Sequence, residues 1–360
     1  MTRTRPAAAA LMTAVVALAA GMSSANDAGF ERLARQAGQG EPLFRVGLDS
    51  AHRVLIDSTG RYRVVDPTTA KPVWKPEFSG ELAVVADGGP TGAVESVFRI
   101  QAGAFGTQAA AEKERDRLVK TYGVPAVVRY NPDRGSWRVR VGEKPDRDAL
   151  EALLSSLRDD GLEGLWIVEE PAEASSGIRL RLVDASYESY LTDLDRLAIV
   201  PTGRDRIRVE GKPYRGIIEL RISPFGTVQA INWIEFETYL LGVVPAELGP
   251  EMWPQMEALK AQAVAARTYA WKHRGQFADE GFDLCATPRC QVYEGESAEH
   301  PMSDRAVVQT RGEILTWKGE PITAMYTATC GGHTEDAAEI FPEDASPYLV
   351  AVPCRAETDA

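Results

Sequence analysis

Residues 256–271, MEALKAQAVAARTYAW, are dense in alanine and contain neither glycine nor proline. Alanine is the best helix former and glycine and proline the poorest, so the run predicts a helix from near Pro254 to about Arg274. Leu259, Ala263, Ala266 and Ala270 recur at four, three and four and make one apolar face. Side chains this small let another element approach closely, so the helix is expected at the centre of a core. The stretch before it, VVPAELGP, is broken by proline and glycine and carries Glu247, with Glu251 and Glu257 following. Val243 and Val244 read as a strand end, and Glu247 as part of a turn entering the helix. The helix dipole accounts for Glu257 and leaves Glu251 undecided. Glu247, between Pro245 and Gly249-Pro250, has the partly apolar setting in which a carboxyl can keep its proton and act as a general acid. Lys260, Arg267 and Arg274 share a second face at intervals of seven, as a solvated edge or as one wall of an anionic cleft.

A chain of 360 residues exceeds one ordinary core, so two or three domains are expected. A net charge of -12 argues against a nucleic-acid partner and leaves a glycan open. The N-terminus has Arg3 and Arg5, an apolar run from Ala7 to Ala20, and Ser23 and Ala25 at a cleavage-type site. That layout is a secretory signal over residues 1–25, too short in its apolar part to span a membrane, and no second stretch is long enough. The expected location is periplasmic or cell-wall. Four cysteines, Cys285, Cys290, Cys330 and Cys354, all fall late. An oxidising compartment favours disulfides, Cys285 with Cys290 and Cys330 with Cys354. A zinc site of Cys285, Cys290, Cys330 and His333 is the rival, although the spacing is not a standard zinc pattern. No other cofactor is expected.

Residues 26–42 are polar and read as a mobile lead-in to short strands at LFRVGL, HRVLIDS, GRYRVVD and ELAVVA. Residues 86–93 and 169–177 read as linkers. Between them the pattern runs strand (SVFRIQAGAF), helix capped by Thr107 and closed by Gly123, two strands turning at Pro132-Asp133-Arg134, helix, and strand (LEGLWIVEE). That is a ferredoxin-like β-α-β-β-α-β order. Alternation sets Phe98, Ile100 and Ala102 on one face of the first strand, and Arg99, Gln101 and Gly103 on the other, so Gln101 is expected to be exposed. Strand-like runs resume after residue 177, among them KPYRGIIELRIS and TVQAINWIEF. The fold class expected is α+β and multidomain.

The middle unit, with Gln101-Ala102-Gly103-Ala104-Phe105 and Trp137-Arg138-Val139-Arg140-Val141-Gly142, resembles the SPOR domain. The resemblance implies binding of peptidoglycan glycan strands stripped of their stem peptides, with Gln101, Phe105, Trp137 and Arg138 as candidate contacts. Rings stack on sugars, and Gln and Arg serve hydroxyls and carbonyls. Phe105 and Trp137 are equally compatible with the core. Further on, Glu237 to Glu247, Glu257 to Ala270, Cys290-Gln291-Val292-Tyr293-Glu294-Gly295 and Thr329-Cys330-Gly331-Gly332-His333-Thr334-Glu335 resemble the SpoIID family. Tyr214-Arg215-Gly216, Asn232 and Pro347-Tyr348-Leu349 add to the match. The expected division is a signal over 1–25, a strand-rich segment over 26–92, SPOR over 93–170, and a SpoIID-like domain over 178–360. The glycine-rich stretch that commonly follows in the family is not in the sequence, so a fragment or a form shortened at the C-terminus is expected. The resemblance implies a lytic transglycosylase, with Glu247 as the catalytic acid and Lys260, Arg267, Gln262, Tyr293 and His333 at the substrate. It equally implies the non-catalytic alternative, an enhancer of a cell-wall amidase at the septum.

Overall fold

The computed structural model describes residues 27–40, 42–88, 96–131, 136–162, 164–171, 177–224, 226–327, 330–340 and 346–353. The signal, the Pro132-Asp133-Arg134 turn and Cys354 lie outside them. The first elements are α1 (Ala28–Gln36), β1 (Leu43–Ala51), β2 (Arg53–Ser58), β3 (Arg61–Val65), β4 (Phe78–Ser79) and β5 (Leu82–Asp87). Next come β6 (Ser96–Phe105), α2 (Gln108–Tyr122), β7 (Ala126–Asn131), β8 (Ser136–Lys144), α3 (Glu151–Asp159) and β9 (Trp166–Pro171). The strands β10 (Arg179–Asp184), β11 (Ser189–Thr192), β12 (Arg196–Pro201) and β13 (Ile207–Val209) follow, then β14 (Lys212–Tyr214), β15 (Ile217–Ile222) and β16 (Val228–Glu235). The helices α4 (Phe236–Glu247) and α5 (Met256–Lys272), strand β17 (Leu284–Cys285) and helix α6 (Pro301–Gln309) come after them. Two compact units form, Met1–Gly92 with Glu173–Ala324, and Ala93–Ala172 with Met325–Ala360. Among the described residues no helix is long and apolar enough to cross a membrane.

The first unit holds a seven-stranded sheet, β17-β1-β16-β15-β12-β3-β4, and a six-stranded sheet, β11-β10-β5-β2-β13-β14. Strands from both sides of the 93–172 segment interleave. Antiparallel pairing joins β1 to β16, β3 to β12 and β5 to β10. The pairing of β5 with β10 runs out to Asp87 opposite Arg179. Beyond it Gly88 and Gly177 are so close that a Cβ on Gly88 would stand 3.6 Å from the Gly177 carbonyl oxygen. The intervening unit is therefore inserted at the tip of the β5–β10 hairpin.

Strand β16 is buried on both faces along nearly its whole length. Such burial requires cover on each side; the buried polar residues Gln229 and Asn232 are satisfied by hydrogen bonds to backbone carbonyls. Helix α1 supplies part of this cover, which corrects the expected mobile lead-in. Its Phe30, Leu33 and Ala34 are buried, and the Phe30 ring stacks on Trp233 at 5.3 Å. The predicted single strand KPYRGIIELRIS is also two, β14 in one sheet and β15 in the other. The break falls at Gly216, where φ is 83° and an added Cβ would stand 2.2 Å from the Trp233 carbonyl oxygen. Only glycine accommodates both the left-handed backbone and that approach.

The inserted unit has four antiparallel strands in the order β7-β8-β6-β9, with α2 and α3 in the connections. This is the ferredoxin-like arrangement expected from the element order. Thr107 caps α2 by accepting from the Ala110 N–H, and Gly123 ends it at φ 64°. Ile100, Leu118, Val139, Val141, Leu154 and Leu157 form its core.

Candidate functional site

Glu247 stands differently from the sequence expectation. Val243-Val244-Pro245 is helical, and Glu247 is the last residue of α4. A proline inside a helix removes one hydrogen bond, at a cost of about 3 kcal/mol. Burial of Phe236, Tyr239, Leu240, Val243 and Val244 around α4 offsets that cost. The carboxyl thus leaves a helix C-terminus, and residues 248–255 separate it from α5, which begins at Met256. Glu247 Oε1 accepts a hydrogen bond of 2.7 Å from the backbone N–H of Val292.

The chain around Val292 is fixed on both sides. Gln291 is fully buried; its Oε1 accepts from the Tyr239 hydroxyl and its Nε2 donates to the Ala266 carbonyl. The Tyr293 hydroxyl donates to Asn232 Oδ1 at 2.9 Å. Asn232 in turn donates to the carbonyls of Arg215 and Ile217. Tyr293 is therefore a buried post that locates Val292, and its side chain does not face solvent. Gly242 permits this packing, since a Cβ there would meet Tyr293 Cε2 at 2.7 Å and the Gly295 carbonyl oxygen at 2.8 Å. A disulfide between Cys285 and Cys290, with Cα atoms 5.6 Å apart, closes the loop just before Gln291.

On α5, Gln262, Ala266 and Tyr269 recur at helical spacing on one side. Burial holds the Tyr269 phenol above its ordinary range, and the charge of Glu247 adds to this, so the two groups lie within Coulombic reach. The Tyr269 ring stacks on His273 at 4.2 Å. Gln262 Nε2 is buried with no hydrogen-bond partner among the described residues. In the connection after Glu247, Met252 and Trp253 are exposed. Large exposed apolar groups in the connection that follows Glu247 are a signal that sequence reading passed over, because the Met-Trp-Pro run there reads as a helix entry.

The three residues of the expected basic row stand in different settings, and Arg267 is neither on a solvated edge nor on a cleft wall. Arg267 is fully buried, and its Nε and Nη2 each lie 2.9 Å from an oxygen of Glu237. Its Nη1 and Nη2 also donate to the carbonyls of Glu313 and Val307. It joins α4, α5 and α6 and has no free donor to offer a substrate. Arg274 donates to the Leu43 carbonyl. Arg274 is exposed, and Lys260 is partly exposed and paired at 2.8 Å with Glu257 one turn earlier. The Cys285–Cys290 disulfide removes two thiolates from the rival zinc set. Cys330 and an exposed His333 fall in the second unit.

In the inserted unit, Trp137 lies in the core and Phe105 packs against it, so both face the helices. Gln101 lies on the opposite face, as alternation requires, but is buried instead of exposed. The reason is a polar layer on that face. Gln101 donates to the Gly103 carbonyl and accepts from Arg140. Arg99 pairs with Glu143 and Glu170, and Arg140 also with Glu170. Arg138 stands directly opposite Arg129 on this face, and Trp166, 48% exposed, is opposite Gln101. Burial and the charges of Arg138, Arg129 and Arg99 bring the pKa of Arg140 down to about 10. Like charges directly opposed across a sheet are destabilising by themselves. Arg129, Arg140 and Trp166 were not singled out from sequence, although the period-two rule puts all three on the Gln101 face.

Comparison with known proteins adds the following. Residues 225–317 match the SpoIID family, described as Stage II sporulation protein, and residues 95–168 match the SPOR domain. An uncharacterized protein of Brachyspira hyodysenteriae is 42% identical over 156 residues, 43% of this chain and 41% of its own length. The amidase enhancer of Bacillus subtilis is 39% identical over 148 residues, 41% of this chain and 20% of that protein. Stage II sporulation protein D of Bacillus subtilis is 36% identical over 170 residues, 41% of this chain and 49% of that protein. The chain thus spans less than half the length of these relatives. Among solved structures, the peptidoglycan binding domain of the Bacillus subtilis cell wall lytic enzyme CwlC covers 22% of this chain. It is covered over 98% of its own length, with a TM-score of 0.20 and 18% identity.

Proposed function

The chain carries a SpoIID segment and a SPOR domain, and from that premise we propose that it binds and cleaves peptide-free peptidoglycan glycan as a lytic transglycosylase in the cell envelope. The observation that carries the reading is the Glu247 carboxyl, with Oε1 held by the Val292 N–H. In this reading Oε2 bears the proton and gives it to the glycosidic oxygen as the bond to MurNAc C1 breaks. The resulting carboxylate then takes the proton of the MurNAc 6-hydroxyl as that oxygen closes on C1. One carboxyl serves both transfers, no water is consumed, and the product is a 1,6-anhydro end. Trp253 offers a ring for a sugar face, and Lys260 and the Gln262 amide lie on α5 as hydrogen-bond donors. Arg267, Tyr293 and Gln291 act as positioning residues. The SPOR sheet supports the same polymer. A glycan strand stripped of its peptides exposes the lactyl carboxylate of each MurNAc, and the Arg129–Arg138 pair on the Gln101 face suits such anions.

The test is incubation of the purified protein with peptide-free glycan and mass spectrometry of the products. Anhydro-ended oligosaccharides are expected from the wild type and none from Glu247→Gln of unchanged circular dichroism. Absence of product from the wild type overturns the enzymatic reading, and equal product from both forms overturns the role of Glu247. The likeness to an amidase enhancer supports a second reading, in which the protein stimulates a cell-wall amidase. Stimulation that persists in Glu247→Gln, with no anhydro product from the wild type, would select it.

A further inference from the structure

The six-stranded sheet of the first unit ends at β11, and an aromatic group is built on that edge. Four rings run from the core to the surface. Tyr62 stacks on Phe78 at 5.7 Å, Phe78 meets Trp74 at 5.8 Å, and Trp74 stacks on Tyr190 at 5.9 Å. Tyr62 and Phe78 are buried, and Tyr190 is exposed. The Lys75 ammonium lies 4.6 Å from the Trp74 ring centroid. It also pairs with Asp184 and Glu188 in the turn between β10 and β11.

That turn displays Tyr187. Asp184 Oδ1 accepts from the N–H groups of Ser186 and Glu188 and from the Ser186 hydroxyl, and the Tyr187 N–H donates to the Asp184 carbonyl. Lys75 and these donors hold the Asp184 carboxyl down to about 2. Tyr187 itself has φ 63° and is 89% exposed. A bulky residue in the left-handed region is strained, and glycine would sit there without cost. At 89% exposure the side chain contributes little packing to the turn.

We infer that Tyr187 and the outer face of Tyr190 form a second glycan-binding platform, outside both the Glu247 region and the SPOR sheet. A sugar polymer is the occupant that fits. The rings are flat and set among Ser186, Glu188, Ser189 and Lys75, so apolar faces for C–H groups alternate with partners for hydroxyls. The turn is held by hydrogen bonds, so little ordering is lost on binding. The inference rests on the proposed glycan substrate. A platform on the unit that carries Glu247 gives that unit its own hold on a strand that the SPOR domain also binds.

The experiment measures retention of the full chain on peptide-free glycan, with thermal unfolding in parallel, for the wild type, Tyr187→Gly, Tyr190→Ser and Arg138→Glu. Tyr187→Gly relieves the backbone, so its Tm is expected to equal or exceed that of the wild type while its affinity falls about three- to tenfold, the size of one aromatic contact. Tyr190→Ser is expected to fall similarly. Wild-type affinity in both tyrosine variants overturns the inference, with glycan binding by the wild type still standing. No retention of the wild type overturns the glycan reading itself. A loss in Arg138→Glu alone assigns all binding to the SPOR sheet and likewise overturns the platform.

Discussion

Arg267 occupies the centre of the helical layer, and its removal would leave the buried Glu237 without its counter-charge. Breaking one side of a buried pair costs about 3–5 kcal/mol, far more than the pair contributes relative to an apolar substitute. Arg267→Ala is therefore expected to lower the denaturant midpoint by an amount corresponding to about 3–5 kcal/mol, with glycan binding at the SPOR sheet unchanged. Urea unfolding followed by tryptophan fluorescence checks this. The sequence placed Arg267 correctly on a helix and at an interval of seven from Lys260. It did not reveal burial, because a seven-residue interval looks the same on a solvated face and on an interface that closes over it. Glu237, the residue that decides the matter, lies 30 positions away. The same limit applies to Tyr293, where the family resemblance implied contact with substrate and the Asn232 hydrogen bond makes it a buried support.

Helix α4 meets the 291–295 segment through Gly242, with no room for a methyl group. Gly242→Ala forces a shift of the Tyr293 ring or of the Gly295 backbone, a form of overpacking that costs about 1–3 kcal/mol. Any such shift moves Val292 against Glu247, so under the proposed function turnover of glycan is expected to fall by more than tenfold while the protein remains folded. Steady-state rates beside a thermal melt separate the two effects. The elements themselves were largely legible. The alanine run became α5 within two residues of each end, and the β-α-β-β-α-β order was correct throughout. Misreadings fell where local signals compete. Val243-Val244-Pro245 carries β-branched residues and a proline, both unfavourable to helix, and tertiary burial overrode them. In α1 the stripe of Phe30, Leu33 and Ala34 was too short to stand out from its polar surroundings.

At the scale of the molecule, the insertion of residues 93–172 between β5 and β10 divides the first unit in sequence but not in space. Strands β1, β3 and β5 precede the insert, and their partners β16, β12 and β10 follow it. Pairing across such a separation is invisible to periodicity, which reports where strands are and not which ones meet. It also means that the covalent chain is not what holds the first unit together. A protease site engineered into either connection, near Gly88 or near Gly177, would yield two polypeptides that share both sheets. They are expected to separate on a denaturing gel, to elute together under native conditions and, under the proposed function, to retain glycan cleavage. Co-expression of the two halves as separate chains extends the idea. The fold is in effect a ready-made pair of complementing fragments, whose reassembly reports directly on the two sheets of the unit that holds Glu247.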